Sequence, residues 1–231
     1  MVRGFLLFSG IPEKDCHRIV APTQLRRYDR GTTIFYEGEP VREVVLLTSG
    51  CIKLSQVGLS GQEVILQLVG TGESTSTEGF STSAHRSTAR TVEASSALVW
   101  DAQQFDAVAQ NCPALRRNIS LALQRVLDQL EERYLEVSTE NVASRLSSQI
   151  VRLLSQVGKQ SNGQVEIALS QRDLAQMTGT TLFTVSRLLC QWEDQGVVRS
   201  RRGTVMVLNV PALVGLRYLN NRVCRRPASQ E

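Results

Sequence analysis

The chain of 231 residues is 42% hydrophobic and 21% charged, which argues against wholesale disorder and suits one large or two small domains. No stretch approaches 18 consecutive apolar residues, so no membrane-spanning helix is expected, and the run Phe5-Leu6-Leu7-Phe8 lacks the small-residue cleavage site of a signal peptide. The net charge of +4 hides an asymmetry: residues 141–231 hold 12 Lys+Arg against 5 Asp+Glu, whereas residues 1–140 hold 14 against 17. A basic end on a near-neutral body points to a polyanionic partner.

The five cysteines (Cys16, Cys51, Cys112, Cys190 and Cys224) are odd in number, widely spaced and never in a C-x-x-C pair. Free thiols in a reducing cytoplasm are expected, rather than a disulfide framework or a local cysteine metal site. With only His17 and His85, chemistry that needs a histidine cluster is poorly supplied.

From about Leu25 to Trp100 the pattern is that of short strands. Val44-Val45-Leu46-Leu47 is a buried run ending at Ser49-Gly50, and 51–57 alternate apolar with polar. Gly58-Leu59-Ser60-Gly61 is a hairpin signal, 62–69 resume a strand, and 88–100 supply two more. Short strands with glycine punctuation predict a small antiparallel barrel or roll.

A long helix follows over 111–138, with Asn111 as its N-cap and Pro113 in its first turn. Ile119, Leu123, Val126, Leu130 and Val137 fall at three- and four-residue spacing, with Arg133 at the one seam position that should be apolar; Leu127 and Tyr134 line a second row beside them. A parallel dimer seam is the sharper expectation for so long a stripe, and packing within a monomer core is its rival. Asn118-Ile119-Ser120 matches a glycosylation acceptor but lies mid-helix and is read as chance.

Residues 143–156 read as another helix, 158–163 as a loop and 165–169 as a strand. In 170–192, Ser170 caps a helix with Asp173 three residues on, close to a capping box. Ala175 is small where two helices cross, Gly179 opens the tight turn, and Leu174, Val185 and Leu188 fill the wedge. The second helix presents Thr181, Phe183, Thr184, Ser186 and Arg187 outward, and a basic hairpin follows over 196–208. Together these make a winged helix.

Ile34-Phe35-Tyr36-Glu37-Gly38-Glu39-Pro40, 46–53 and Gly61-Gln62-Glu63 in the strand region, with Thr184-Val185-Ser186-Arg187-Leu188-Leu189 in the second helix, resemble the CRP/FNR family of transcription regulators over roughly residues 20–210. The resemblance implies an α+β fold with an N-terminal cyclic-nucleotide-binding-like β-roll (1–110), a long dimerisation helix (111–139) and a C-terminal winged helix-turn-helix (140–231). It implies a homodimer on two-fold symmetric double-stranded DNA, with RNA polymerase as a further partner if the protein activates.

On that reading Arg187 suits bidentate contact with guanine and Ser186 a base edge or phosphate. Gln171, Arg172, Thr180 and Thr181 position the backbone, and Arg199, Arg201 and Arg202 add phosphate contacts. Regulators of the fumarate-nitrate type usually carry a Glu where this chain has Phe183. A Glu accepts from a cytosine amino group, whereas Phe packs on a thymine methyl, so the expected half-site is altered at that position.

The effector is less legible. The family's cyclic AMP sensors use a Gly-Glu pair and then an Arg-Ser or Arg-Thr pair. Here the first falls on Ser76-Thr77 and the second on Ser87-Thr88, or on Arg86-Ser87 with a one-residue shift. On the long helix, Leu127, Leu130 and Glu131 would border the effector pocket, and Leu130 and Glu131 stand where a base contact wants small hydroxyls. Cyclic AMP is therefore disfavoured. An iron–sulfur cluster is disfavoured too, because only Cys16 lies near the N-terminus. Thr181 to Arg187 and Ser49-Gly50-Cys51 resemble the nitrogen-oxide clade, which leaves haem open, with His17 or His85 as an axial ligand. Oxidation of Cys190 beside DNA is an alternative control.

An enzyme is not indicated: the chain has no P-loop, dinucleotide glycine pattern, H-E-x-x-H or nucleophile elbow. A ligand-binding module acting on a protein partner remains the rival to DNA binding. The two differ in whether the chain binds duplex in a salt-sensitive, sequence-specific way.

Overall fold

The computed structural model describes residues 2–75, 84–161 and 164–219. The chain divides into two compact units, Met1–Leu130 and Glu131–Glu231, with the boundary inside the long helix. Ser76 and Thr77, as well as Cys224, lie outside the described residues.

The N-terminal unit opens with two 3-10 turns (Val2–Gly4 and Leu6–Phe8) and helix α1 (Glu13–Val20). Seven strands follow: β1 (Gln24–Tyr28), β2 (Thr33–Phe35), β3 (Glu43–Ser49), β4 (Ile52–Val57), β5 (Glu63–Val69), β6 (Thr88–Thr91) and β7 (Ser95–Asp101). They form two antiparallel sheets of order β1-β7-β3 and β2-β6-β4-β5, the expected roll.

The run 44–47 is apolar throughout because β3 is covered on both sides. Val45 and Leu47 join Phe35, Ile52, Val69, Ala89, Ala97 and Val99 inside the roll. Val44 and Leu46 face the helices, packing with Phe8, Ile19, Trp100, Phe105 and Leu115. Between β3 and β4, Gly50 takes φ +95°, and a Cβ there would stand 2.7 Å from the Ser95 Cα, so glycine is required on two counts. The Trp100 indole donates to the Ile19 carbonyl (2.7 Å), tying β7 to the end of α1.

Helix α2 (Ala102–Gln110) is capped by Asp101, whose carboxylate accepts from the Gln103 and Gln104 amides. Asn111 is not the N-cap expected for the long helix. It ends α2, where its side chain donates to the Ala107 carbonyl, and α3 begins at Pro113, which has no N–H to satisfy.

Helix α3 (Pro113–Thr139) runs for 27 residues, about 40 Å. Its first turns belong to the roll's own core. Leu115 and Ile119 are buried there, and Asn118, 1% exposed, donates to the carbonyls of Leu7 (3.0 Å) and Ser9 (2.8 Å). Ile119 is therefore not available to the seam on which the spacing placed it. It lies at the end of the helix that the N-terminal turns cover.

The C-terminal unit holds the end of α3, then α4 (Val142–Gln156), β8 (Lys159–Ser161), β9 (Gln164–Ile167), α5 (Gln171–Thr178), α6 (Leu182–Asp194), β10 (Val198–Arg201), β11 (Thr204–Val207) and α7 (Val210–Leu219). Its sheet order is β10-β11-β9-β8. The segment expected as a loop after Gly158 therefore contains a strand. Its polar residues pair with β9 as an edge, where apolar alternation is not needed.

Candidate nucleic-acid interface

Three elements carry the interface, and local chemistry shapes each. Helix α5 starts in a complete capping box: the Ser170 hydroxyl accepts from the Asp173 amide, and the Asp173 carboxylate accepts from the Ser170 amide. It ends at Gly179, whose φ of +62° is the left-handed cap the turn requires. Thr180 N–H then bonds the Ala175 carbonyl at 3.1 Å, closing the turn. Thr181 caps α6, accepting from the Thr184 amide at 3.2 Å.

Leu174, Ala175 and Val185 are buried between α5 and α6, as their sizes predict. Leu188 is only half-buried. The buried face of α6 continues instead through Leu189 and Trp192, at offsets of four and seven from Val185, so the wedge follows the helical period through Leu189.

The opposite face of α6 is open. Phe183 is 77% exposed, Leu182 is 45% exposed, and Ser186, Arg187 and Cys190 are exposed while Thr184 is partly so. On the wing Arg199, Arg201 and Arg202 are exposed, as is Arg172 at the start of α5; Thr180 is half-buried at the turn. Gln171 does more than sequence reasoning assigned to it: its Nε2 donates to the Ser200 Oγ on β10 at 2.9 Å. A cleft of about 350 Å³ lies here, bordered by Gln171, Ser186, Cys190, Ser200, Arg201 and Arg202 among others. Residues scattered over 171–202 thus share one basic, hydroxyl-bearing surface.

In the same unit the last turns of α3 are fixed by charge. Glu136, 5% exposed, accepts from both terminal nitrogens of Arg152 on α4 (2.5 and 2.8 Å). Arg152 also reaches the Gln149 side chain (2.9 Å) and Glu132 (3.7 Å). Arg217 of α7 stands 3.8 Å from both Glu136 and Glu140. Beside them burial pushes the Arg133 pKa down to about 10, the like charge of Arg152 adds to the effect, and Glu136 and Glu132 oppose it. The spacing of Glu132, Glu136 and Glu140, one residue per helical turn, is the sequence signal that sequence reasoning missed.

The middle of α3 presents the remaining seam residues. Leu123, Leu127, Leu130, Tyr134 and Val137 are 38–77% exposed, and Val126 is half-buried. Leu127, Leu130 and Glu131, expected at an effector pocket, are all exposed on this helix. On the roll, Arg86 is exposed while Ser87 and Thr88 are half-buried, and the Thr88 hydroxyl accepts from the Glu37 amide at 3.1 Å.

The histidines do not fit a haem. His17 stands on the outer face of α1 with an 81% exposed side chain, 3.8 Å from Glu13. The His85 ring lies flat on Phe35, centroids 3.5 Å apart. Burial pushes its pKa down, against the pull of Glu39. His17 thus stands in solvent rather than in an apolar slot, and one face of the His85 ring is covered by Phe35; among the described residues no cluster of three His, Cys, Asp or Glu could hold a metal ion. Cys16 and Cys51 are buried and Cys112 is half-buried.

Residues 25–112 match the cyclic nucleotide-binding domain, and residues 144–216 the Crp-like helix-turn-helix domain. The chain is 30% identical over 207 residues to the cyclic AMP receptor protein of Thermus thermophilus, covering 89% of this chain and 94% of that one. The FixK2 structure from Bradyrhizobium japonicum has a similar fold (TM-score 0.74, 22% identity, 84% of this chain and 96% of that one). So does a CRP/FNR-family regulator from Thermus thermophilus (TM-score 0.71, 19% identity, 85% and 100%). With its roll and its winged helix each matched by a family model and a 30% identical relative covering 89% of its length, this protein belongs to the CRP/FNR family of DNA-binding transcription regulators.

Proposed function

We propose that the protein binds a two-fold symmetric operator as a homodimer, controlled by a small effector at the roll. The observation that carries this reading is the exposed apolar stripe Leu123, Leu127, Leu130, Tyr134 and Val137 on α3. Five large side chains at helical spacing favour a second copy of the same helix, because that copy removes both stripes from water at once. Pairing through α3 would set two α6 helices in successive major grooves, about 34 Å apart. Arg187 and Ser186 would read base edges, Phe183 a thymine methyl, and Arg172, Thr180, Thr181, Arg199, Arg201 and Arg202 the backbone.

The effector would contact the Arg86-Ser87-Thr88 edge of the roll, where a guanidinium and two hydroxyls suit an anionic small molecule. The Thermus thermophilus relative carries cyclic AMP in its name, and that nucleotide is the first probe to apply, although Leu130 and Glu131 offer no small hydroxyl to its base. Haem is the less favoured effector, because the His85 ring is stacked on Phe35 and His17 stands exposed on α1 beside Glu13. Action in the cytoplasm, with RNA polymerase as a partner if the protein activates, follows from DNA binding.

Sedimentation equilibrium of the wild type and of Leu127→Asp with Leu130→Asp tests the dimer. A wild-type dimer and a monomeric variant that loses operator binding support the proposal. A wild-type monomer that binds DNA with one chain per site overturns it.

A further inference from the structure

The tie between Gln171 and Ser200 joins two parts of the interface that are far apart in sequence. Gln171 opens the first helix of the helix-turn-helix, and Ser200 lies in the middle of the first wing strand. Along β10, Arg199 and Arg201 are exposed while Ser200 between them is half-buried, as alternation in a strand requires.

The hydroxyl accepts one hydrogen bond from the Gln171 amide at 2.9 Å. Its own proton has no acceptor among the described residues. The Gln171 amide likewise keeps a second N–H. Both residues border the 350 Å³ cleft, together with Arg201, Arg202 and the Ser186 hydroxyl. Glu193 borders it too, one carboxylate against two guanidiniums. Two unspent polar protons, a further hydroxyl and two cations around one open cleft match the needs of a singly charged tetrahedral oxyanion.

We propose that this cleft seats one phosphodiester of the operator backbone, and that Ser200, oriented by Gln171, is the residue that anchors it. Accepting the bond from Gln171 polarises the Ser200 O–H for donation to the phosphate. The wing and the first helix then dock on the backbone as one body. Ser200 has no place among the arginines that a charge-based reading selects, and Gln171 becomes a positioning residue acting through it. The inference rests on the DNA-binding reading of this face.

The test uses the full-length protein and its selected operator, with single phosphates replaced one at a time by uncharged methylphosphonates. Affinities are measured for the wild type, Ser200→Ala, Ser200→Thr, Gln171→Ala and the double alanine variant. Ser200→Ala is expected to weaken binding about tenfold, the scale of one charge-assisted hydrogen bond, with an unchanged melting temperature. Ser200→Thr, which keeps the hydroxyl, is expected to bind within about threefold of the wild type, a half-unit in log affinity. The double variant is expected to be no weaker than the worse single one, because the pair acts as a unit. One phosphate in each half-site should be costly to neutralise for the wild type and indifferent for Ser200→Ala. Wild-type affinity in Ser200→Ala, additive losses, or an equal loss at every phosphate position overturns the proposal. If the wild type binds no operator at all, the DNA-binding reading itself fails and this inference falls with it.

Discussion

Replacing Glu136 by Gln isolates the charge hub that holds the end of α3 to the winged helix. The Glu136 side chain is 6% exposed, and both of its oxygens accept from Arg152, whose own side chain is 19% exposed. Glutamine keeps the shape and one acceptor but turns an NH₂ toward the second guanidinium nitrogen, donor against donor. The Arg152 charge is then buried without its principal counterion. Breaking a buried pair on one side costs about 3–5 kcal/mol. For a unit of about 100 residues, each kcal/mol moves the melting temperature by about 4–8 °C, so the C-terminal unit is expected to melt at least about 12 °C lower. Scanning calorimetry with near-ultraviolet signals from Trp192 for this unit and Trp100 for the other separates the two. Removing both charges, as Glu136→Gln with Arg152→Met, should recover much of the loss, because the Arg152 charge is no longer buried without its principal counterion. A drop of less than about 3 °C in the single variant, or a double variant worse than the single one, refutes the reasoning, since under 1 kcal/mol is the range of a solvated surface pair.

Three further outcomes are expected. Phe183→Glu should move the base preference at one position of each half-site from thymine to cytosine by about 1–3 kcal/mol, as read by operator selection; an unchanged preference would mean that Phe183 does not read a base. Asn118→Ala leaves the Leu7 and Ser9 carbonyls without their donor and should cost about 1–3 kcal/mol in denaturant unfolding, with DNA affinity retained by the folded fraction. His85 has a folded-state pKa below its unfolded value, so the unfolded chain takes up more protons as pH falls below about 6.5 and stability declines with it. His85→Phe keeps the stacked ring and should flatten that decline. An identical slope in both proteins would show that His85 does not contribute to it.

The helix-turn-helix was legible because each of its parts has a local cause. Ser170 and Asp173 cap, Gly179 takes a left-handed φ, and Ala175 and Val185 fill a tight crossing, so residue type and spacing suffice to find it. The strands of the roll were legible for the same reason, through alternation and glycine turns. Burial partners were not. Ile119 and Leu123 share one stripe, yet the first is buried by the N-terminal turns and the second is exposed, because periodicity marks a face without naming what covers it. Leu188 and Leu189 are neighbours of equal hydropathy, and only the register of α6 decides which one is buried. The Glu136–Arg152 and Gln171–Ser200 contacts link residues 16 and 29 positions apart, beyond any local pattern.

The most direct test of the central claim is operator selection with the purified full-length protein, followed by a stoichiometric titration of the enriched duplex across salt concentrations. The account expects a two-fold symmetric site with half-site centres one helical turn apart. It also expects two chains bound per duplex and an affinity that falls steeply with salt, less steeply when Arg201 and Arg202 are both replaced by Ala. An asymmetric or absent consensus, or saturation at one chain per duplex, would contradict it.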